Sequence, residues 1–155
     1  VSIEVRRLSA DDWQDWRELR LRSLADSPDA FGSTLAREEA FSEETWRQRA
    51  EDSTIVYVDQ VPAAMGGSFD MDQERTHIVA MWTDPAYRQR GLARLVLEDI
   101  VARTRERGRR VMLDVTRGND AARTTYERFG FVANGKAGPL REGSDLLVDE
   151  MVLPD

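Results

Sequence analysis

A mixed α/β fold built as one domain is what the sequence predicts, and three observations carry that reading. From Thr76 onward, apolar and β-branched runs alternate with stretches of helical spacing in the order strand, helix, strand, helix, strand, which builds a parallel βα core. Ahead of them, Thr54–Asp59 and Ala63–Phe69 form a hairpin that extends the sheet in antiparallel fashion. The 155 residues show no internal repeat, linker or low-complexity tract, so residues 1–155 are expected to be a single domain, which at this size buries ~70% of its unfolded surface.

Taken in order, Ile3 and Val5 alternate with polar residues and predict an opening strand before Leu8. Asp11 or Asp12 caps a first helix whose apolar face holds Trp13, Trp16, Leu19 and Leu24. Arg20 falls on that face, where an arginine snorkels or pairs with a carboxylate more often than it contacts substrate. Turn formers from Ser27 to Ser33 end the helix, and a second helical region runs from about Thr34 to Ala50. In the hairpin, Gln60-Val61-Pro62 is the expected turn and Gly66-Gly67 the expected bulge. Asp70–Glu74 leads to a strand over Thr76–Thr83 that Asp84-Pro85 closes. Leu92, Leu95, Val96 and Ile100 then make the clearest amphipathic helix, ending near Gly108. Val111–Val115 is a strand, Asp120–Arg128 a short helix stopped by Gly130, and Leu146–Leu153 the last strand.

Composition narrows the chemistry. There is no cysteine and one histidine, His77, which excludes disulfides, thiolate metal sites and cysteine nucleophiles; no metal is expected, and His77 reads as a structural or surface residue. No apolar run approaches the ~20 residues that cross a bilayer, and no signal-peptide pattern opens the chain, so a cytoplasmic protein without a membrane partner is expected. A net charge of −7 weighs against nucleic acid as a partner and mildly favours cationic small molecules. Between Ala86 and Arg110, however, eight arginines face three acids. That excess suits either an anion or a solvated helix face.

The segment from Asp84 to Arg94 joins a strand to the strongest helix. Unpaired N–H groups at a helix start, together with the helix dipole, form an anion site. Gly91 leaves room for a phosphate, Ala93 keeps the next turn narrow, and Arg88, Arg90 and Arg94 supply charge. Neither GxGxxG nor GxxxxGK[ST] is present. The run Arg88 to Ala93 fits [QR]-x-x-G-x-[GA]; Asn119-Asp120-Ala121-Ala122 fits N-x-A-A, and Tyr126 to Phe131 fits Y-x-x-x-G-F. In this order and spacing the chain resembles the GNAT superfamily of N-acetyltransferases, and the resemblance covers roughly Thr76 to Phe131.

That resemblance implies acetyl-CoA as cosubstrate and an amine as acceptor. It implies that the backbone of Met81, Trp82 and Thr83 meets the acetyl and pantetheine portion. The backbone of Gln89, Arg90, Gly91, Leu92, Ala93 and Arg94 would hold the pyrophosphate, and Asn119 the pantetheine arm. Thr83 and Ala93 depart from the aliphatic residue and the glycine common there. Tyr126 would act on the leaving thiolate, and Asp114, five residues before Asn119, would occupy the place of a catalytic glutamate. Each has a second reading: Asn119 as a helix cap, Tyr126 as a packing aromatic, and Asp114 as the partner of Arg109, Arg110 or another cation.

An alkyl ammonium with a pKa of ~10.4 must lose its proton before attack, a cost of ~4.6 kcal/mol at pH 7, so a base or a water relay helps. Glu38, Glu39, Asp72 and Glu74 are other acids that could face the acceptor. Without cysteine or an activated serine, direct attack in a ternary complex is expected rather than a covalent acyl-enzyme. The competing reading is a catalytically idle domain that binds or senses acyl-CoA. The acceptor, small amine or protein amine, is not named by any motif, and a homodimer through the last strands is compatible with the sequence.

Overall fold

In the computed structural model, which describes residues 1–155, the chain runs β1 (Ile3–Arg7), α1 (Trp13–Asp26), α2 (Leu35–Glu39), α3 (Glu43–Ala50), β2 (Thr54–Val58), β3 (Val61–Asp70), β4 (Arg75–Thr83), α4 (Leu92–Glu106), β5 (Arg110–Thr116), α5 (Asp120–Phe129), β6 (Val132–Pro139) and β7 (Leu147–Leu153). The strands form one mixed sheet in the order β1-β2-β3-β4-β5-β7-β6. Only β4 and β5 run parallel; the other neighbours are antiparallel. The mixed α/β class therefore stands, with one correction. The parallel core is a single βαβ unit, because β6, which the sequence reading missed, turns the chain so that β7 meets β5 antiparallel.

Strand alternation sorts the core into two layers. Ile55 and Tyr57 of β2 face Trp16, Leu19, Leu24 and Trp46 on the α1–α3 side. Val56 and Val58 face the opposite layer, which holds Leu92, Val96, Leu97 and Ile100 of α4 with Tyr126 and Phe131. Gly66 lets α4 settle on β3, since a Cβ there would lie 2.6 Å from Val96 Cγ1 and Met81 Sδ. The helical region expected from Thr34 to Ala50 is two helices: Thr34 caps α2 by accepting from Arg37 N–H, and Ser42 caps α3 by accepting from Thr45 N–H. The hairpin turn sits earlier than expected, at Asp59 and Gln60, whose φ of 48° and 70° suit a tight two-residue turn. Pro62 lies inside β3 beside a register shift, where a missing N–H is tolerated.

The feature that positions the site is in β4. Ile78 packs in the α4 layer, whereas Ala80 and Trp82, two and four residues on, pack in the α1 layer. A period of two forbids this unless one residue is added to the strand. The register supplies it: Gly67 opposes Val79 and Met65 opposes Trp82, so two steps on β3 match three on β4. Ala80 takes up the extra residue at φ 59°, a conformation unfavourable for alanine. At the same point β4 leaves β5, and their pairing stops at Ile78 opposite Leu113 although both strands continue.

Candidate active site

Beyond Ile78 the edge of β4 facing β5 has no strand partner, and a cleft of about 730 Å³ opens there. Met81, Ala80, Val79, His77, Asp114 and Tyr126 are among its lining residues. Asp114 lies on the sheet face opposite Leu113 and Val115, which pack in the α4 layer, so it approaches the cleft from the α1 side together with His77. Tyr126 approaches from the α4 side, where it packs edge-on to Phe131 at 6.1 Å between ring centroids. The parted strands thus let groups from both faces of the sheet line one cavity.

His77 Nε2 stands 3.5 Å from Asp114 Oδ2, and the His77 ring lies 5.3 Å from that of Phe69. The sequence reading did not bring His77 and Asp114 together. His77 pairs in register with Met112, so Asp114 is its diagonal neighbour on the same face, a relation visible only once strand pairing is known. Desolvation by the cleft walls raises the Asp114 pKa above the ordinary carboxylate value; His77 opposes the shift, and Glu150, opposite Asp114 on β7, adds to it. Neither Arg109 nor Arg110 pairs with Asp114: Arg109 binds Asp70, the Thr76 hydroxyl and carbonyls of the β3–β4 turn. The Tyr126 side chain is buried, and burial pushes its phenol up to about 12.

At the start of α4, Gln89 and Gly91 both have left-handed φ, 63° and 78°, and Gly91 is the N-cap. A Cβ built on Gly91 meets nothing within 4 Å, so nothing crowds the backbone at the N-cap, as an anion cradle requires. The loop is anchored from α1: Arg22 pairs with Asp84, whose Oδ1 accepts from Ala86 N–H at 2.9 Å. Arg88 donates to Thr83 O at 2.9 Å and to Asp26 at 3.1 Å, and Arg94 pairs with Glu98 at 2.9 Å. Of the three loop arginines only Arg90, 5.5 Å from the Tyr87 ring, has no carboxylate partner. Arg103 and Arg107 are likewise paired, with Asp99 and Asp70. The positive excess of this stretch is therefore mostly neutralised by structure.

Trp82 turns its indole to the α1 layer, donating to Asp26 at 3.2 Å, and is not among the residues that line the cleft. Asn119 caps α5, its Oδ1 accepting from Ala122 N–H at 3.3 Å, which leaves its Nδ2 donor. The far wall comes from α1 to α3 and from the turn after α1. Thr116 donates its hydroxyl to Asp29 O at 2.7 Å, and Arg141 donates to Phe31 O at 2.8 Å, clamping that turn over the end of β5. Arg20 meets both oxygens of buried Glu38 at 2.9 Å. The carboxylate pairing expected of Arg20 is thus what the structure has, and both residues line the cleft.

The profile of the acetyltransferase (GNAT) family matches residues 8–131. The chain belongs to that family, and by that membership is an acyltransferase. No curated protein matches it closely enough in sequence to serve as a relative. Solved structures match along the whole chain at low identity. A putative acetyltransferase from Salmonella typhimurium, yncA, solved with acetyl-CoA, has a TM-score of 0.81 at 15% identity, covering 100% of this chain and 99% of that one. The ribosomal-protein-S18-alanine N-acetyltransferase of Escherichia coli gives 0.72 at 20%, covering 99% and 94%. The paia N-acetyltransferase of Thermoplasma acidophilum, in complex with coenzyme A, gives 0.65 at 16%, covering 96% and 98%. At such identities the likeness is one of fold. No helix is long and apolar enough to cross a membrane, and no cluster of metal-ligating side chains is present.

Proposed function

We propose that the protein transfers an acetyl group from acetyl-CoA to an amine by direct attack within a ternary complex. The observation that carries this reading is the parting of β4 from β5 beside the open start of α4. An unpaired strand edge can hydrogen-bond an amide-rich arm while the helix start receives phosphate. Two structural neighbours were solved with acetyl-CoA or coenzyme A, which supports the same ligand here. In this reading the backbone of Met81 to Thr83 lies along the pantetheine arm, with the Thr83 carbonyl already taken by Arg88. The N–H groups from Gln89 to Arg94 hold the pyrophosphate, Arg90 adds charge, and Asn119 Nδ2 reaches the arm.

The test is calorimetric titration with acetyl-CoA, together with thiol release across a panel of amines. Gly91→Gln fills the open space at the cradle and is expected to weaken acetyl-CoA binding severely. Because the positive φ of Gly91 also strains the variant, its fold is checked by circular dichroism. Unchanged affinity in a folded Gly91→Gln protein would move the pyrophosphate elsewhere.

Acetyl-CoA supplies an activated thioester, and the side chains manage the protons. Asp114, or a water it orders beside His77, takes the proton of the attacking ammonium. Tyr126 donates a hydrogen bond to the sulfur as it becomes a thiolate. A phenol at about 12 facing a thiol near 8.5 makes full transfer uphill by roughly 5 kcal/mol; the thiolate in the same pocket feels the same desolvation, which narrows that gap. Stabilisation of the developing charge, with late or solvent-shared transfer, is therefore the role assigned to Tyr126. The Tyr126 phenol lining the cleft weighs against the idle acyl-CoA-binding alternative.

Asp114→Asn is expected to slow turnover most near neutral pH, with the deficit shrinking as alkaline pH frees the amine without help. The raised pKa of Asp114 places the acid limb of the wild-type profile above the ~3.9 of an ordinary aspartate. A variant with the wild-type rate and pH profile would make Asp114 structural.

A further inference from the structure

The acceptor wall holds a cation with no fixed partner. Both carboxylate oxygens of Glu38 are occupied by Arg20. Arg49 lies close enough to feel Glu38, Arg20 and Arg37, and Arg49 and Arg37 flank Phe41 at 4.5 and 5.6 Å from its ring. Neither has a carboxylate within ion-pair distance, although most arginines of the chain do. Two guanidinium groups of the cleft, Arg20 and Arg49, thus have one fixed counter-charge between them, Glu38; Glu51 also lines the cleft but pairs with neither. Arg20, itself 8% exposed, keeps one further donor, Nη1, buried and without a hydrogen-bond partner. A buried donor left unpaired is costly in the free protein, and it is satisfied if an anionic acceptor group is drawn to that wall. Arg20, Arg49 and Glu38 line the same cleft as Asp114, so the cavity offers cationic donors on one wall and a carboxylate at the gap.

We propose that the acceptor is a small amine that also bears a carboxylate, an amino acid type of molecule. Its carboxylate lies at Arg49 next to Nη1 of Arg20, and its amine is turned toward Asp114 at the parted strands. This rests on the acetyltransferase reading and narrows its acceptor. Guanidinium groups pair with carboxylates in forked geometry. Polyamines and polycationic antibiotics would bring further positive charge against Arg49, against the mild preference for cationic partners that net charge alone suggests. A peptide amino terminus offers no α-carboxylate beside its amine.

The experiment measures thiol release from acetyl-CoA with free L-amino acids, each paired with its α-amide, and with spermidine and a short peptide as further acceptors. One or more free acids are expected to exceed their amides in kcat/KM. Arg49→Gln is expected to raise KM for the favoured acid roughly 10- to 100-fold, as loss of a charge-assisted hydrogen bond does, and to collapse the difference between acid and amide while acetyl-CoA affinity holds. Removing Arg20 alone would strand Glu38 in the interior. The second variant is therefore Arg20→Met with Glu38→Leu, which removes the pair together and is expected to cut the acid preference too. Amides, spermidine or peptide turned over as well as the free acids would overturn the proposal, as would an acid preference that survives both variants. Intact acetyl-CoA binding with no carboxylate-bearing amine turned over would overturn it and leave the acetyltransferase reading standing. Absence of acetyl-CoA binding would overturn both.

Discussion

Tyr126→Phe is expected to slow the chemical step roughly 10- to 1,000-fold, the range for loss of one positioned acid. The phenyl ring preserves the edge-on contact with Phe131, so the fold and the walls of the cleft remain. Acetyl-CoA affinity should stay nearly constant, because in the proposed role the hydroxyl serves a charge that exists only as the thioester breaks. With the phenol at about 12, Tyr126 keeps its proton up to about pH 10, so it should contribute no alkaline fall in rate over that range. Single-turnover measurement with a confirmed acceptor separates this effect from slow product release. An unchanged chemical step would return Tyr126 to a packing role.

Glu38→Ala is expected to lower stability by about 3–5 kcal/mol, the usual cost of breaking a buried ion pair from one side. Glu38 is 1% exposed and is bound through both oxygens by Arg20, so its loss leaves a buried guanidinium without a counter-ion. For a chain of 155 residues that corresponds to a fall in Tm of roughly 6–20 °C. Chemical denaturation of the variant beside Arg20→Met/Glu38→Leu tests the cause. The double variant should regain most of the loss, since apolar residues of similar volume commonly replace such pairs without penalty. Equal destabilisation in both would assign the effect to packing.

Much of the fold could be read because its signals are local. Helix α4 announces itself through the spacing of Leu92, Val96 and Ile100, all buried against the sheet, and the α5 cap and stop lie at Asn119 and Gly130. The start of α4 at Gly91 was legible for the same reason, since a glycine at a strand-to-helix junction is a local event. Strand β6 was not. Its sequence, Val-Ala-Asn-Gly-Lys-Ala-Gly-Pro, is nearly all exposed and shows no alternation, and only pairing with β7 makes it a strand. The β3–β4 irregularity was half legible: Gly66-Gly67 marked its place, where the register shifts, but the extra residue lies opposite, in β4, and its left-handed residue is Ala80, not glycine. Neighbours distant in sequence were the remaining gap. Arg20 was expected to find some carboxylate, but its partner stands 18 residues away, and the approach of His77 to Asp114 depends on a register between two strands.

The break at Ile78 also divides the sheet mechanically. Strands β1 to β4 form one plate and β5 to β7 another, and the seam between them is stitched by only four residue pairs, Arg75–Arg110 to Ile78–Leu113. Elsewhere in the seam the plates are joined by the helices packed across them, and by the Thr116–Asp29 bond from β5 to the turn after α1. A molecule lying along the free edge of β4 would act as a missing strand, supplying the hydrogen bonds that β5 withholds. Its binding energy would then add to the cohesion of the whole sheet by mass action, and under the proposed function the resistance of the fold to unfolding would become a function of how much cosubstrate surrounds it.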